Sequence, residues 1–260
     1  MIQTDLNVDV LVIGGCTAGS YFAGQMAKQG YKVLVVDKSS EPELGQRYTV
    51  IHCGKEHFEH FGIPEPKEGD PDYIEQFDLS IIRSALNNFP KNTRSTILVL
   101  RRVLLMKRLA DYARNSGAEI RYSTSFTSHI YNEAGQLAGA VLTGPDGEYH
   151  VNARLTVDAS GIPAVVRTGL PDSYGVETFT TGPRDQFYVV LHYAKLKHPE
   201  KDKIEVVTTW PYYKIWLAPQ HTADGCLVGV GANLSTEYAE RVLKRFEALG
   251  YLPEHELEHI

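Results

Sequence analysis

A glycine-rich segment near the N-terminus combines residue types at a spacing that could bind a dinucleotide. Its residues are Gly14, Gly15, Cys16, Thr17, Ala18 and Gly19. Gly14 permits a tight turn, Gly19 lets a helix approach a strand, and the helix N-terminus offers N–H groups to a pyrophosphate. Asp37 and Lys38 end the next apolar segment, where a carboxylate accepts hydrogen bonds from a ribose diol. The pattern predicts a dinucleotide site; the alternative is a βαβ unit whose glycines serve only packing.

Cys16 departs from the usual Gly-x-Gly-x-x-Gly pattern, in which this middle position is glycine. A side chain here lies where the backbone of the dinucleotide passes closely. We therefore expect Cys16 to weaken pyrophosphate binding or to shift the position of the pyrophosphate.

The elements that must position these residues form one βαβ unit. Residues 8–13 are a short apolar run typical of a strand buried on both faces, and apolar residues then recur at helical spacing up to Gly30. Residues 32–36 predict a second buried strand. The segment 101–117 predicts a further helix, and β signals dominate 119–157.

The later residues predict a separate sheet. Four strand-like segments are followed by one amphipathic helix; the segments are FYVVLHYAKL, KIEVVTTW, YYKIWLAP and CLVGVGAN. We therefore predict an α/β fold: a Rossmann-like domain with a parallel sheet, a βαβ unit and an added β-meander, then a mainly antiparallel domain. The first domain is placed at 1–172, with an irregular insertion at about 60–95, and the second at 173–260.

Several segments resemble flavoproteins of the p-hydroxybenzoate hydroxylase superfamily and, within it, the geranylgeranyl reductase family. The opening VDVLVIGGCTAG, followed by KVLVVDK, carries the resemblance first. LRRVLLMKRLADYARNSGAE is similar to the family's R-x-x-F-D helix, with Leu105 and Met106 in place of Phe and Asp. VDASGIPAVVR is similar to D-G-x-x-S-x-V-R, with Ala164 in place of Ser, and YYKIWLAP is similar to Y-x-W-x-F-P.

The resemblance implies that FAD is the cofactor. It places Arg102 at the arginine that approaches the flavin nucleotide, and Asp158 and Gly161 at positions that contact the nucleotide. It also implies that the second domain, with part of the insertion, forms the substrate side and holds an apolar or lipid substrate. The candidate substrate residues are Trp210, Tyr213, Trp216 and Pro219. Packing within the sheet is the alternative role for these aromatic residues.

A third flavin motif of these families, a Gly-Asp-Ala turn, is not recognisable after Ala232. We therefore expect either an N-terminal portion of a longer family member, with an incomplete substrate domain, or a reduced variant.

The family implies that reduced FAD delivers a hydride to a carbon–carbon double bond of an isoprenoid-like substrate. The electron donor would be NAD(P)H or a ferredoxin-like protein, and a proton donor is needed nearby. Cys53 is the candidate for that role, and the alternative is a buried cysteine that acts only as a hydrophobic residue. Arg47 could reach the cofactor or the substrate, or could be a solvated loop arginine.

Two other functions stay open. A flavin-dependent monooxygenase or halogenase is possible because DASG at 158–161 also occurs in halogenase relatives, although WPYYKIWLAP does not spell the halogenase W-x-W-x-I-P segment. A non-catalytic nucleotide-binding module, or a truncated form unable to hold FAD, is the second; Cys16 and the missing third motif favour it.

Composition narrows the remaining classes. The 260-residue chain has a net charge of −6, which argues against a broad nucleic-acid-binding surface. Three cysteines give no disulfide framework, so we expect a reducing, cytoplasmic location. No membrane span is predicted, because the first apolar run ends at glycines; the terminal helix TEYAERVLKRFEALG predicts surface packing or peripheral membrane contact. His57 and His60 could share a helical face, but no metal site is predicted without a further ligand.

Overall fold

A computed structural model describes the chain in two compact units. The first unit comprises Met1–Thr49 and Arg102–Thr178, and the second Val50–Arg101 and Phe179–Ile260. The first segment of the second unit, Val50–Arg101, is therefore longer than the predicted insertion at about 60–95. The described residues are 3–45, 50–77, 80–84, 91–93, 96–177, 181–182, 185–199, 205–210, 213–219, 225–250 and 252–258.

Strands and helices are numbered here in chain order. The strands are β1 (Gln3–Ile13), β2 (Val33–Val36), β3 (Val50–Gly54), β4 (Tyr73–Phe77), β5 (Ser80–Ser84), β6 (Lys91–Thr93), β7 (Ile97–Arg101), β8 (Glu119–Arg121), β9 (Ser125–Tyr131), β10 (Leu137–Gly144), β11 (Gly147–Asp158), β12 (Tyr188–Leu196), β13 (Glu205–Trp210), β14 (Tyr213–Pro219), β15 (Gly225–Ala232) and β16 (His255–Leu257). The α-helices are α1 (Thr17–Lys28), α2 (Glu56–His60), α3 (Arg102–Asn115) and α4 (Thr236–Ala248).

The first unit is built on a mixed sheet with the strand order β8-β2-β1-β11-β10-β9. Strands β8, β2, β1 and β11 are parallel, whereas β10 and β9 continue the sheet as an antiparallel meander. The strand β1, helix α1 and strand β2 form the predicted βαβ unit. The predicted Rossmann-like fold class is therefore confirmed.

The central strands are apolar on both faces because each face is covered. Val10, Val12 and Ala23 belong to a core on the α1 side, and Leu11 and Leu142 belong to a core under the meander. Such double burial explains why the sequence of β1 is a continuous apolar run rather than an alternating one.

The helices of the first unit pack closely because α1 has a glycine at their contact. A Cβ at Gly24 would collide with the ring of Tyr112 on α3. The Tyr112 hydroxyl accepts a 2.6 Å hydrogen bond from the Gln25 amide, so the buried tyrosine keeps a polar partner.

The second unit contains two sheets. The larger has the order β16-β12-β15-β14-β13-β5-β6 and is antiparallel except where β13 runs parallel to β5. The smaller is an antiparallel sheet with the order β3-β7-β4. The predicted strands of the later residues and their mainly antiparallel arrangement are confirmed.

Helix α4 covers one face of the larger sheet. Its N-cap Ser235 accepts a hydrogen bond from the N–H of Tyr238, which fixes where the helix begins. Its apolar residues Val242, Leu243 and Phe246 are buried against the sheet. Surface packing of this helix is therefore confirmed. Within the described chain, no helix is long and apolar enough to cross a membrane.

We expect Leu243→Ala to destabilise the second unit by about 2–5 kcal/mol, because it leaves a cavity at a side chain that is only 2% exposed. Leu249→Ala, at the exposed end of the same helix, is the matched control and should change stability by less than about 0.5 kcal/mol. Urea unfolding of both variants measures the difference. Equal losses would show that α4 is not part of the core.

Candidate functional site

Three parallel strands of the first unit end at the same edge of the sheet. The glycine turn follows β1, Asp37 follows β2, and Asp158 ends β11. Because α1 connects β1 to β2 on one side while β11 lies on the other, this edge is a topological switch point. Ligands of open α/β sheets bind in the crevice at such a point.

Two glycines at this edge are required by close backbone contacts. Gly14 has φ +108°, and a Cβ there would collide with the carbonyl oxygen of Ala159 after β11. A Cβ at Gly19 would collide with the carbonyl oxygen of Gly14. The turn, the start of α1 and the end of β11 therefore come together only because these two positions lack side chains.

Asp37 connects the end of β2 to the glycine turn. The residue is 9% exposed, and its carboxylate accepts 2.8 Å hydrogen bonds from the N–H groups of Gly15 and Ser39, one on each oxygen. Lys38, by contrast, is exposed. Because each Asp37 oxygen keeps acceptor capacity beyond its one backbone donor, the carboxylate can accept further hydrogen bonds while held in place.

The N-terminus of α1 is available to an anion. Cys16 is the N-cap residue, with φ −73° and ψ −159°, and its side chain makes no capping hydrogen bond. The first turn contains no acidic residue, and both Thr17 and Ala18 are exposed. The described first turn therefore carries no negative charge that would compete with a phosphate for the N–H groups at this end.

Cys16 is held as a neutral thiol between two charged side chains. Burial raises the pKa of this half-buried thiol, and the negative charge of Asp37 raises it further. The positive charge of Arg102, at the start of α3, acts in the opposite direction. Because φ at Cys16 is negative, the backbone does not require glycine here; only the space taken by the thiol differs from the usual pattern.

Asp158 shapes the loop that follows β11. Its carboxylate accepts four hydrogen bonds, from the N–H and hydroxyl of Ser160 and from the N–H groups of Val166 and Arg167. Burial alone would raise the pKa of Asp158, but these hydrogen bonds hold the pKa below its ordinary value. From the sequence, Asp158 was expected only to contact the nucleotide, and its role in ordering this loop was not predicted.

The same loop presents unusual backbone at its tip. Gly161 has φ +80°, and Ala164 has φ +43°, a left-handed conformation that is uncommon for a residue with a Cβ. Between them the side chain of Ile162 is 95% exposed. The hydrogen bonds to Asp158 span this tip and support its strained backbone.

Other predicted residues lie in the second unit or outside the described chain. Cys53 is on β3, and burial, followed by the charge of Glu56, raises the pKa of its thiol. Trp216 on β14 is half-buried and pairs in register with Gly229. Arg47 lies outside the described residues, and so do the side chains of Trp210, Tyr213 and Pro219, although β13 and β14 contain their backbone.

The histidines of α2 contact an aromatic ring. His57 and His60 pack around Phe61, with ring centroids 6.5 and 4.7 Å from its centroid. Among the described side chains, there is no group of three His, Cys, Asp or Glu residues that could hold a metal ion.

Comparison with known proteins assigns a class to this fold and site. The family model described as "FAD binding domain" matches residues 7–214, so the chain belongs to the FAD-binding domain family. A digeranylgeranylglycerophospholipid reductase of Sulfolobus acidocaldarius is 31% identical over 173 residues, covering 64% of this chain and 37% of that protein. This chain thus spans well under half of that relative's length.

Solved structures share the fold over nearly the whole chain. A geranylgeranyl bacteriochlorophyll reductase-like protein of Thermoplasma acidophilum has a TM-score of 0.80 at 19% identity, covering 98% of this chain and 65% of that one. The flavin-dependent brominase Bmp2 has a TM-score of 0.73 at 18% identity, covering 98% and 66%. Membership of the FAD-binding domain family confirms the predicted flavoprotein class with FAD as its cofactor, and the similarity to named reductases agrees with the predicted resemblance to geranylgeranyl reductases.

The stability contributed by Asp158 should depend on pH. Its folded-state pKa lies below the unfolded value, so the contribution is present above about pH 4 and is lost as the pH falls through the folded pKa. At neutral pH we expect Asp158→Asn to cost about 1–3 kcal/mol, and the cost should shrink towards pH 3. Urea unfolding at both pH values measures it. Asp146→Asn, in the exposed β10–β11 turn, is the control; a pH-independent cost at Asp158 would contradict the assignment.

Proposed function

We propose that this protein is an FAD-dependent oxidoreductase that reduces carbon–carbon double bonds of an apolar, isoprenoid-like substrate by hydride transfer from reduced flavin. The observation that carries the cofactor part is one edge of a parallel sheet where the Gly14–Gly19 turn, the open N-terminus of α1 and the fixed Asp37 carboxylate come together. The substrate and the reaction are supported by the similarity to proteins named as reductases of digeranylgeranyl lipids.

The residues at this edge fit FAD. The Gly14–Gly19 turn and the N–H groups of α1 would hold the pyrophosphate, since the described first turn carries no negative charge that would compete for them. Asp37 would accept hydrogen bonds from the ribose diol, with Lys38 exposed beside it. Arg102 would place a positive charge near the phosphates, and the loop from Asp158 to Gly161 would contact the nucleotide.

FAD, when bound and reduced, supplies the hydride, and the protein supplies binding, orientation and protons. Cys53 remains the candidate proton donor. Because its raised pKa keeps the thiol protonated at neutral pH, the group holds a proton but is a poor nucleophile. The aromatic segment around Trp216, with Trp210, Tyr213 and Pro219, would line the space for an apolar substrate.

A flavin-dependent halogenase or monooxygenase is the second candidate function, because a brominase shares the fold with a TM-score of 0.73. The sequence YYKIWLAP favours the reductase, since it lacks the halogenase segment. An oxygen-dependent turnover that gives a hydroxylated or halogenated product would reverse this ranking.

The first experiment is the visible absorption spectrum of the purified chain before and after addition of FAD. We expect a bound-flavin spectrum, followed under anaerobic reduction by loss of double bonds from prenyl lipids and reoxidation of the flavin. A protein that stays colourless after incubation with excess FAD and removal of the unbound flavin would refute the proposal for this chain. Flavin binding without turnover of any prenyl lipid would refute only the substrate.

Substitution at Cys16 separates helix capping from FAD binding. Cys16→Asp should stabilise α1 by about 1 kcal/mol, because the extended backbone of Cys16 suits an N-cap and no side chain now caps the helix. The same carboxylate should lower FAD affinity at least tenfold, since it repels the pyrophosphate and occupies the N–H groups. Thermal unfolding and FAD titration measure the two effects.

Cys16→Asn is the matched control for charge. It should stabilise α1 to a similar extent and lower FAD affinity much less than Cys16→Asp. Equal FAD affinities for the Asp and Asn variants would show that the pyrophosphate does not bind at the N-terminus of α1.

A further inference from the structure

Two aromatic rings lie against glycines of one strand in the second unit. The indole of Trp216 occupies the space where a Cβ of Gly229 would lie, and the ring of Phe187 does the same at Gly231. Because Gly229 and Gly231 are two residues apart on β15, both rings lie on the same face of that strand. A Cβ at either glycine would collide with an aromatic ring rather than with backbone atoms.

This face is the one that α4 does not cover. The intervening residues of β15, Val228 and Val230, belong to the core under α4, so the glycines between them point the other way. On the neighbouring strand, Val189 pairs with Gly231 and Leu191 pairs with Gly229 in register. Phe187, Val189 and Leu191 therefore extend the apolar surface along β12.

The surface is elongated and partly exposed. From Phe187 to Leu191 it runs about 13 Å along an extended chain. Phe187 is 49% and Val189 44% exposed, which is unusual for neighbouring large apolar residues on one face. At its edge the ammonium of the exposed Lys214 lies 5.6 Å from the centroid of Trp216, a cation–π contact that helps to hold the indole in place. An extended hydrocarbon chain matches the length and the apolar character of this surface.

We propose that Gly229 and Gly231 determine which ligands the second unit accepts. Because these glycines have no side chains, Trp216 and Phe187 can lie against the strand. The space above the sheet then remains open to an extended apolar chain. A methyl group at either position would lift its ring and narrow the space above the sheet. The inference rests on the proposed function, in which the substrate is apolar, and adds Phe187 and the two glycines as specificity-determining residues.

The test measures binding directly, without flavin turnover. The emission of the two tryptophans is followed in the otherwise unaltered chain, because both are candidate substrate residues. Geranylgeraniol should quench this emission in a saturable manner. Gly229→Ala and Gly231→Ala should each weaken this binding about tenfold or more, and Phe187→Ala should also weaken it. Leu249→Ala is the control. Leu249, at the end of α4, is as exposed as Phe187, and its substitution should leave geranylgeraniol binding unchanged.

A double-mutant cycle tests the ring-on-glycine contact itself. Gly231→Ala added to Phe187→Ala should cost no further affinity, because the ring that the new methyl group displaces is gone. Additive losses would overturn the inference, and so would unchanged binding by Gly231→Ala or the absence of saturable binding to the parent chain. If Gly231→Ala does not fold, as judged by circular dichroism, the affinities of Phe187→Ala and Leu249→Ala for geranylgeraniol still test the inference. Equal affinities of these two variants would overturn it.

A parallel FAD titration separates this inference from the proposed function. Loss of FAD binding with geranylgeraniol binding intact would refute the cofactor proposal alone. Normal FAD binding with glycine variants that bind geranylgeraniol like the parent would refute the inference alone.

Discussion

The first unit depends on a close approach of three backbone segments at the end of β1. The carbonyl of Gly14 lies against Gly19, and the carbonyl of Ala159 lies against Gly14, so no side chain can be placed at either glycine. This contact decides where α1 begins relative to the sheet and how β11 pairs beside β1. The direction of the α1 N–H groups, and hence the position offered to an anion, follows from it.

Two aspartates then fix the loops that surround this point. Asp37 accepts N–H groups from the glycine turn and from its own loop, and Asp158 accepts four donors from the loop after β11. In both cases a carboxylate satisfies backbone donors that would otherwise be left without partners where the strands end. The loops are therefore ordered by the protein's own groups, which lowers the cost of ordering them when a nucleotide binds.

Local patterns in the sequence predicted the elements, while pairings between distant segments needed the structure. The glycine spacing, the apolar run of β1 and the position of Asp37 follow from rules that act over a few residues, and each predicted element appears. The parallel pairing of β5 with β13 could not be read in this way, because residues far apart in sequence leave no local signal. The role of Asp158 was missed for the same reason: four donors within nine residues look like an ordinary loop until its backbone is folded. The sequence signal that could have found it is Ser160, an Asx-turn residue two positions after the aspartate.

The glycines of the two units make room for different kinds of neighbouring atoms. This difference explains which substitutions each glycine position tolerates. At Gly14 and Gly19 the neighbouring atoms are backbone carbonyls, which cannot move without breaking the sheet or the start of α1. At Gly229 and Gly231 the neighbours are aromatic side chains at a partly exposed surface, which can turn aside. A methyl group should therefore act mainly on folding in the first unit and mainly on the shape of an apolar surface in the second. The glycines of the first unit thus fix the backbone geometry of the turn after β1. Substitutions at the glycines of the second unit can instead change which ligands the surface prefers.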